Sequence, residues 1–292
     1  MNFYKYNMSF YKTYLVIIYF VLNFFIPETI YSQTGFFSEL INVEHIPSLV
    51  MNKSHKAMVF LPDNYYLSTD SFPVVYLLHG YSGHFDDWSR HEPKLQKYAA
   101  QYKLIIVTPE GEFDRWYINS PVDTTSKYET YIAKEVPDWI DKHYKTKKNK
   151  KFRAITGLSM GGHGALTIAA DYPDRFGAAG SMSGALDLRP FSTKWNLKDI
   201  LGNIDIKPSV WFLYSFYGKI FQLDKTDHPE IIIDCGEDDL FFDVNISVHN
   251  LLIDKGINHE FKFRPGGHTW EYWVQSLPVH LQFFGDYFYK QN

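Results

Sequence analysis

Two kinds of hydrophobic pattern follow one another in turn along this chain. Short apolar runs rich in β-branched residues are typical of buried strands, and they alternate with stretches whose apolar residues recur at helical spacing. Because strands that alternate with helices form parallel sheets covered on both sides, the sequence predicts an α/β fold with a mostly parallel central sheet and helices on both faces. The predicted strands are residues 57–61, 74–78, 104–108, 152–156, 178–183, 231–235 and 259–264, and helical patterns begin at Glu92, Tyr128, Gly162, Phe242 and Trp270.

One segment, residues 186–228, interrupts this alternation and is interpreted as a lid-like insertion. Its aromatic side chains could stack on a sugar or a phenolic acyl group, or could simply pack on the domain. Packing is the favoured interpretation for most of them. These side chains are Trp195, Trp211, Phe212, Tyr214, Phe216 and Tyr217.

Residues 1–32 predict a secretory signal peptide, so that 33–292 would form a single secreted or periplasmic domain. Lys5 and Lys12 precede an apolar run at 15–22, which is shorter than the roughly 20 residues that a membrane helix needs. A retained amino-terminal anchor is the alternative. After removal of the signal peptide we expect no stable membrane insertion.

Composition narrows the possible partners. With 29 Lys and Arg residues against 33 Asp and Glu, the formal charge of −4 provides no basic surface that would collect nucleic acid phosphates. The single cysteine, Cys235, lies in an apolar run, and one cysteine can form neither an internal disulfide nor a cysteine zinc site. A metal role for the cluster at 84–88 is less expected than a helix cap.

A serine between two glycines is the strongest functional signal. Residues 157–161, Gly-Leu-Ser-Met-Gly, follow the predicted strand 152–156 and precede a small-residue helical pattern. In a G-x-S-x-G turn the serine occupies a strained backbone position that lifts its hydroxyl above the sheet. Ser159 is therefore the predicted nucleophile, although the pentapeptide alone is only moderately specific.

Candidate partners for this serine follow two later strands. A serine hydroxyl needs a histidine to accept its proton and a carboxylate to orient that histidine. Asp239 lies three residues after Gly236 at the end of one strand, and His268 follows a Pro-Gly-Gly break at the end of the next. Serine, aspartate and histidine in this order are typical of α/β-hydrolases. The adjacent Asp238 remains an alternative acid.

Backbone groups and aromatic side chains complete the predicted site. The strand 74–78 ends in a glycine-containing loop, so the N–H groups of Tyr81 and Met160 are the predicted oxyanion donors. Trp116 and Tyr117 follow the strand 104–108, at the sheet edge where ligands bind in such folds, and are the predicted substrate-binding residues. Core packing is the competing interpretation for both.

Four motifs together resemble the esterase D-like putative esterase family. They are HGYSG at 79–83, GLSMGGHGAL at 157–166, SMSGA at 181–185 and PGGHTW at 265–270. The family contains S-formylglutathione hydrolases, feruloyl and acetyl-xylan esterases of the first carbohydrate esterase family, and mycolyltransferases, and the resemblance extends over residues 45–288. It implies the α/β-hydrolase fold, an acid three residues after the glycine, and ester hydrolysis through an acyl-enzyme without a metal or organic cofactor.

The leading hypothesis is a secreted serine esterase that removes feruloyl or acetyl groups from polysaccharide. The expected export, the resemblance and the aromatic rim support it. The alternatives are a general short-chain carboxylesterase, an S-formylglutathione hydrolase-like thioesterase, an acyltransferase and a noncatalytic glycan-binding protein. A thioesterase of that kind is disfavoured because its thiol substrate is expected in the cytosol.

Overall fold

An eight-stranded sheet organises residues 40–291, the part of the chain that the computed structural model describes. The predicted signal peptide and residues 33–39 lie outside it. The strands are β1 Ile41–Ser48, β2 Lys53–Phe60, β3 Val74–Leu78, β4 Ile105–Pro109, β5 Arg153–Gly157, β6 Ala178–Met182, β7 Glu230–Gly236 and β8 Glu260–Arg264. Their order across the sheet is β1-β2-β4-β3-β5-β6-β7-β8.

Six of these strands are parallel. β1 pairs with β2, and β2 with β4, in the antiparallel sense, whereas β4, β3, β5, β6, β7 and β8 are joined by parallel pairings. The carboxyl ends of the parallel strands therefore meet at one edge of the sheet, where ligands bind in open α/β folds. The predicted α/β-hydrolase fold with a mostly parallel sheet is confirmed.

Helices cover both faces of the sheet. One face is covered by α1, α2 and α10, and the other by α3 to α5 and α9. The helices are α1 Asp87–His91, α2 Leu95–Tyr102, α3 Tyr128–Thr130, α4 Val136–His143, α5 Met160–Asp171, α6 Leu197–Leu201, α7 Pro208–Tyr214, α8 Phe216–Lys219, α9 Phe242–Lys255 and α10 Trp270–Tyr289. A π-helical turn, Tyr131–Glu135, joins α3 to α4, and 3-10 turns occupy Lys150–Phe152, Arg189–Phe191 and Ile220–Gln222.

The segment 186–228 contains the short helices α6, α7 and α8. Trp211 and Phe216 are almost fully buried in the same core as α5, and Trp195, Tyr214 and Tyr217 pack against that core with part of their surface exposed. Most of these aromatic residues therefore pack on the domain.

All seven strands expected from the sequence are present, whereas β1 was not predicted. β1 lies at the edge of the sheet, and most of its residues are exposed or half-buried. It therefore lacks the apolar run or the clear alternation that marks a strand in sequence. Within residues 40–291, no helix has both the length and the apolar character required to cross a membrane.

Candidate active site

Ser159 lies in a tight turn between β5 and α5. Its φ of 54° and ψ of −117° place it in a backbone region that side-chain-bearing residues rarely occupy. The flanking glycines are required because the backbone passes so close to β3. A Cβ on Gly157 would lie 2.7 Å from the carbonyl oxygen of Leu78, and one on Gly161 would lie 2.5 Å from that of His79.

The three predicted triad residues are in hydrogen-bond contact. His268 Nε2 lies 2.9 Å from Ser159 Oγ, and His268 Nδ1 lies 3.0 and 2.9 Å from the two carboxylate oxygens of Asp239. The Asp239 side chain is fully buried and also accepts the N–H of Phe241 at 2.8 Å. Asp238 is exposed and makes no hydrogen bond with His268. In this geometry Nε2 can take the serine proton while the Nδ1–H remains directed at a buried carboxylate.

The loops that carry Asp239 and His268 are bonded to each other. The N–H of Glu237 donates to the Arg264 carbonyl at 3.0 Å, and the N–H of Asp238 donates to the Gly266 carbonyl at 3.0 Å. The aromatic ring of Tyr272 lies directly beneath Gly266, where a Cβ would approach its Cδ2 to 2.6 Å. The acid loop after β7 and the histidine loop after β8 therefore form one bonded unit.

Behind these loops lies a buried polar network centred on Asp234. Arg264 Nη1 donates to both Asp234 carboxylate oxygens at 3.0 and 2.8 Å, and its Nη2 donates to Ser276 Oγ at 2.6 Å. The Tyr272 hydroxyl also donates to Asp234, and burial together with this bond raises the pKa of Tyr272. The network links β7, β8 and α10. Sequence reasoning missed it, although a carboxylate inside an apolar strand signals a buried partner.

The two predicted oxyanion donors are free to bind a ligand. Met160 is the first residue of α5, so its N–H has no acceptor within the helix. For the N–H of Tyr81, no acceptor is found among residues 40–291. Tyr81 also lines the cleft above Ser159.

His79 fixes the loop that carries Tyr81. Its Nδ1 lies 2.8 Å from the Gly80 carbonyl oxygen, and its Nε2 lies 2.9 Å from the Gly111 nitrogen. The imidazole is buried. It thus joins the loop after β3 to the loop after β4.

Glu110 adds a partly buried negative charge beside this histidine. Its carboxylate lies 3.2 Å from His79 Nε2 and accepts the N–H groups of Glu112 at 2.7 Å and Phe85 at 3.2 Å. Burial alone would raise the pKa of Glu110, but the contact with His79 and these hydrogen bonds outweigh it and lower the pKa to about 2.

The structure separates the two predicted substrate-binding residues. Trp116 lines the cleft with only 1% of its surface exposed, and its indole N–H donates to the Trp195 carbonyl at 3.1 Å. Tyr117 is fully buried, and its hydroxyl donates to the His79 carbonyl at 3.1 Å. The prediction that Tyr117 lies at the rim was therefore wrong. Both residues have positive φ values, 54° and 57°, and this left-handed turn sends successive side chains in different directions.

The cleft above Ser159 has a volume of about 1060 Å³ and two aromatic walls that meet at His268. The first wall consists of Tyr81, Trp116, Trp195 and Phe241. Its neighbouring ring centroids lie 6.5, 6.2 and 5.4 Å apart, and the Phe241 ring lies 5.1 Å from that of His268. This wall is continuous and largely apolar.

The second wall consists of His91, Trp270 and Trp273. The Trp273 ring contacts His268 edge-on at 4.8 Å and Trp270 at 5.5 Å. His91 stacks on Trp270 with 3.9 Å between ring centroids. Polar side chains accompany this wall in the cleft lining, namely Thr269, Glu271 and Gln275. Sequence analysis assigned neither this wall nor Phe241 to the site, and for Trp195 it left stacking on the substrate as the less favoured interpretation.

His163 supports the first wall from behind. Its imidazole is fully buried, and it packs edge-on against Trp116 at 5.8 Å between ring centroids. Burial, with a smaller effect of Lys219, lowers its pKa to about 3. It is therefore a neutral packing residue.

Comparison with known proteins agrees with this fold. The family model described as Putative esterase matches residues 48–284. The acetyl esterase of Caldicellulosiruptor saccharolyticus is 23% identical over 267 residues, which cover 84% of this chain and 94% of that protein. A solved ferulic acid esterase is 29% identical with a TM-score of 0.73, covering 85% of this chain and 98% of its own.

A second solved structure supports the fold alone. The substrate-bound fluorophosphonate-binding serine hydrolase F of Staphylococcus aureus is 21% identical with a TM-score of 0.76, covering 84% of this chain and 98% of its own. The resemblance to esterase D-like proteins is confirmed by the family match over most of the chain. This chain belongs to the Putative esterase family and is a carboxylic ester hydrolase.

Proposed function

We propose that this protein hydrolyses carboxylic esters through an acyl-enzyme formed on Ser159. The observation that carries the proposal is the continuous hydrogen-bonded path from Ser159 Oγ through His268 to the buried Asp239 carboxylate. It lies at the base of an aromatic cleft that is open to a ligand.

The mechanism follows from these contacts. His268 Nε2 takes the proton from Ser159 Oγ as the oxygen attacks the ester carbonyl, and Asp239 stabilises the imidazolium that forms. The N–H groups of Tyr81 and Met160 bind the oxyanion, a contribution worth about a hundred- to a thousandfold in rate for each donor. His268 then protonates the leaving alcohol. Water attacks the acyl-enzyme in the second half of the cycle and releases the acid.

For the substrate, we propose feruloyl or acetyl esters of a polysaccharide. The partly exposed rings of Tyr81 and Trp195 in the first wall suit an aromatic or a small acyl group. The second wall combines Trp270 with polar side chains that suit a hydroxyl-rich alcohol. Among the relatives are a ferulic acid esterase and an acetyl esterase. A general short-chain carboxylesterase is the second candidate. It is favoured because the only polar groups of the first wall are the Tyr81 hydroxyl and the indole N–H groups of Trp116 and Trp195.

We also propose that the protein is exported. The support is the sequence alone, with Lys5 and Lys12 ahead of the apolar run 15–22. Amino-terminal sequencing of the protein recovered from its native cells tests this. A new amino terminus near residue 33 is expected, and a protein that starts at residue 1 contradicts cleavage.

Hydrolysis assays test the activity. Purified protein and its Ser159→Ala variant are compared on methyl ferulate, acetylated xylan, p-nitrophenyl acetate and S-formylglutathione. We expect turnover of ferulate or acetyl-xylan that disappears in the variant. Preference for the simple ester supports the second candidate, and equal rates for both proteins contradict the role of Ser159. A fluorophosphonate probe should label wild type but not the variant.

A further inference from the structure

The charges that line the cleft restrict the kind of alcohol that the enzyme releases. We infer that the second wall admits esters with neutral or cationic leaving groups and rejects anionic ones, with Glu271 as the selecting charge. This inference rests on the proposed ester hydrolysis at Ser159 and names a substrate class for the same site.

The inference places the leaving group along the second wall. His268 Nε2 must protonate the alcohol oxygen, so the alcohol portion extends from that nitrogen. The chain continues from His268 directly into α10, whose first two turns contribute Trp270, Glu271 and Gln275 to the cleft. The oxyanion donor Tyr81 instead belongs to the first wall, where its ring packs against Trp116. An alcohol leaving from His268 therefore passes Glu271.

The cleft offers no lysine or arginine side chain that could hold an anion. Its 19 lining residues, all in the described part of the chain, include Asp87 and Glu271 but neither lysine nor arginine. Arg90, which follows Asp87 on α1, is already paired with Asp86 at 2.6 Å and lies 3.7 Å from Asp87. An anionic alcohol or thiol thus meets like charge and finds no fixed cation.

The charge of Glu271 is not compensated by a neighbour. Within residues 40–291 its carboxylate makes no hydrogen bond and no ion pair, and its side chain is exposed. A carboxylate in the first turn of a helix is also favoured by the helix dipole. This helix-dipole effect concerns the stability of α10 and is the same for every substrate. Only the repulsion between Glu271 and the leaving group depends on substrate charge, so comparing substrates of different charge distinguishes the two effects.

A set of matched esters tests the inference. Phenyl acetate has a neutral leaving group, 4-acetoxybenzoate has the same acyl group with an anionic leaving group, and monophenyl succinate carries its anion on the acyl side. For each protein the kcat/KM of an anionic ester is divided by that of phenyl acetate, which removes general effects of a substitution. The proteins are wild type, Glu271→Gln, Glu271→Lys and the control Glu230→Lys, whose site lies at the opposite end of β7 from the cleft.

The ratio for 4-acetoxybenzoate should rise about threefold in Glu271→Gln and about tenfold in Glu271→Lys, as expected for a charge in a solvated cleft. The increase should shrink in 1 M salt and be absent from Glu230→Lys. The ratio for monophenyl succinate should respond less. Equal ratios in wild type and Glu271→Lys, or an equal rise in Glu230→Lys, overturn the inference.

A larger response of monophenyl succinate overturns the assignment of the second wall to the leaving group. If wild type hydrolyses none of the three esters, the proposed function itself fails and the inference fails with it. An unchanged ratio in an active enzyme contradicts the inference alone.

Discussion

The guanidinium carbon of Arg264 lies 3.9 Å from the centroid of the Tyr272 ring. The two side chains also share Asp234, which accepts hydrogen bonds from both. Since Arg264 ends β8 and Tyr272 lies in the first turn of α10, the pair fixes both ends of the loop that carries His268. This places a structural support directly behind the proposed general base.

Removing one hydroxyl from this support should reduce turnover. Tyr272→Phe keeps the ring beneath Gly266 but leaves Asp234 with one partner fewer. We expect about 1–2 kcal/mol lower stability in urea unfolding. We also expect kcat on p-nitrophenyl acetate to fall about tenfold with little change in KM, because a small displacement of a catalytic group is costly.

The matched control is Tyr289→Phe, which alters an exposed tyrosine at the end of the same helix. It should leave kcat and stability as in wild type. If Tyr272→Phe is destabilised but retains full kcat and an unchanged pH profile, Tyr272 contributes to folding alone.

The two adjacent aspartates should differ sharply. Asp239→Asn removes the carboxylate that orients His268, so kcat should fall about a thousand- to ten-thousandfold, as in other serine hydrolases of this geometry. Asp238→Asn changes an exposed side chain without contact to His268 and should change kcat less than threefold. Steady-state kinetics on p-nitrophenyl acetate decide between them. The reverse order of effects would identify Asp238 as the acid.

A single methyl group should disrupt the serine turn. In Gly161→Ala the new Cβ would lie 2.5 Å from the His79 carbonyl oxygen, so the backbone must shift. We expect a loss of about 1–3 kcal/mol in stability and loss of esterase activity.

Gly285→Ala provides the comparison for this substitution. Its Cβ would lie 3.3 Å from Cδ1 of the Tyr102 ring, which a small shift of that ring relieves. The position is within α10, where alanine is favoured by up to about 1 kcal/mol. This variant should be at least as stable as wild type. Normal activity in Gly161→Ala would show that the turn has more room than the structure indicates.

Two buried histidines should make the protein acid-sensitive. Burial lowers the pKa of His163 to about 3 and that of His280 to about 4, both below the 6.5 of an unfolded chain. The unfolded state therefore binds the proton first as the pH falls below about 6.5. Stability should then decrease towards low pH, by about 1.4 kcal/mol per pH unit for each histidine.

Urea unfolding between pH 6.0 and 4.5 measures this slope. His163→Gln and His280→Gln should each reduce it by about 1.4 kcal/mol per pH unit. His45→Gln, at an exposed position of β1, controls for the substitution itself. Parallel slopes in wild type and in both buried variants would contradict neutral histidines in the folded state.

Much of the catalytic centre could be predicted because its signals are local. β3 is buried along its whole length and appears in the sequence as a continuous apolar run. The Ser159 turn is visible because its flanking glycines are needed where the backbone passes close to a neighbouring strand. The order of Ser159, Asp239 and His268 is visible along the chain for the same reason. Each residue lies within four positions of the end of a strand that shows a continuous apolar run or a clear alternation.

The remainder depends on contacts between distant segments. Trp116 and Trp195 are 79 residues apart in sequence, and nothing near either residue predicts their pairing. Tyr117 was misplaced because its direction depends on a left-handed turn that alternating polarity does not reveal. β1 escaped detection because an edge strand buries too few side chains to impose a hydrophobic pattern.

The hydrogen bond from the Trp116 indole to the Trp195 carbonyl has an evolutionary consequence. Each tryptophan lies at a positive φ, 54° and 49° respectively, in a separate loop, and each conformation is held in part by the other loop. A change of substrate range through this wall therefore requires coordinated mutations in both loops. A chimaera that exchanges only one of these loops with a relative would have a mismatched wall, so both loops must be exchanged together.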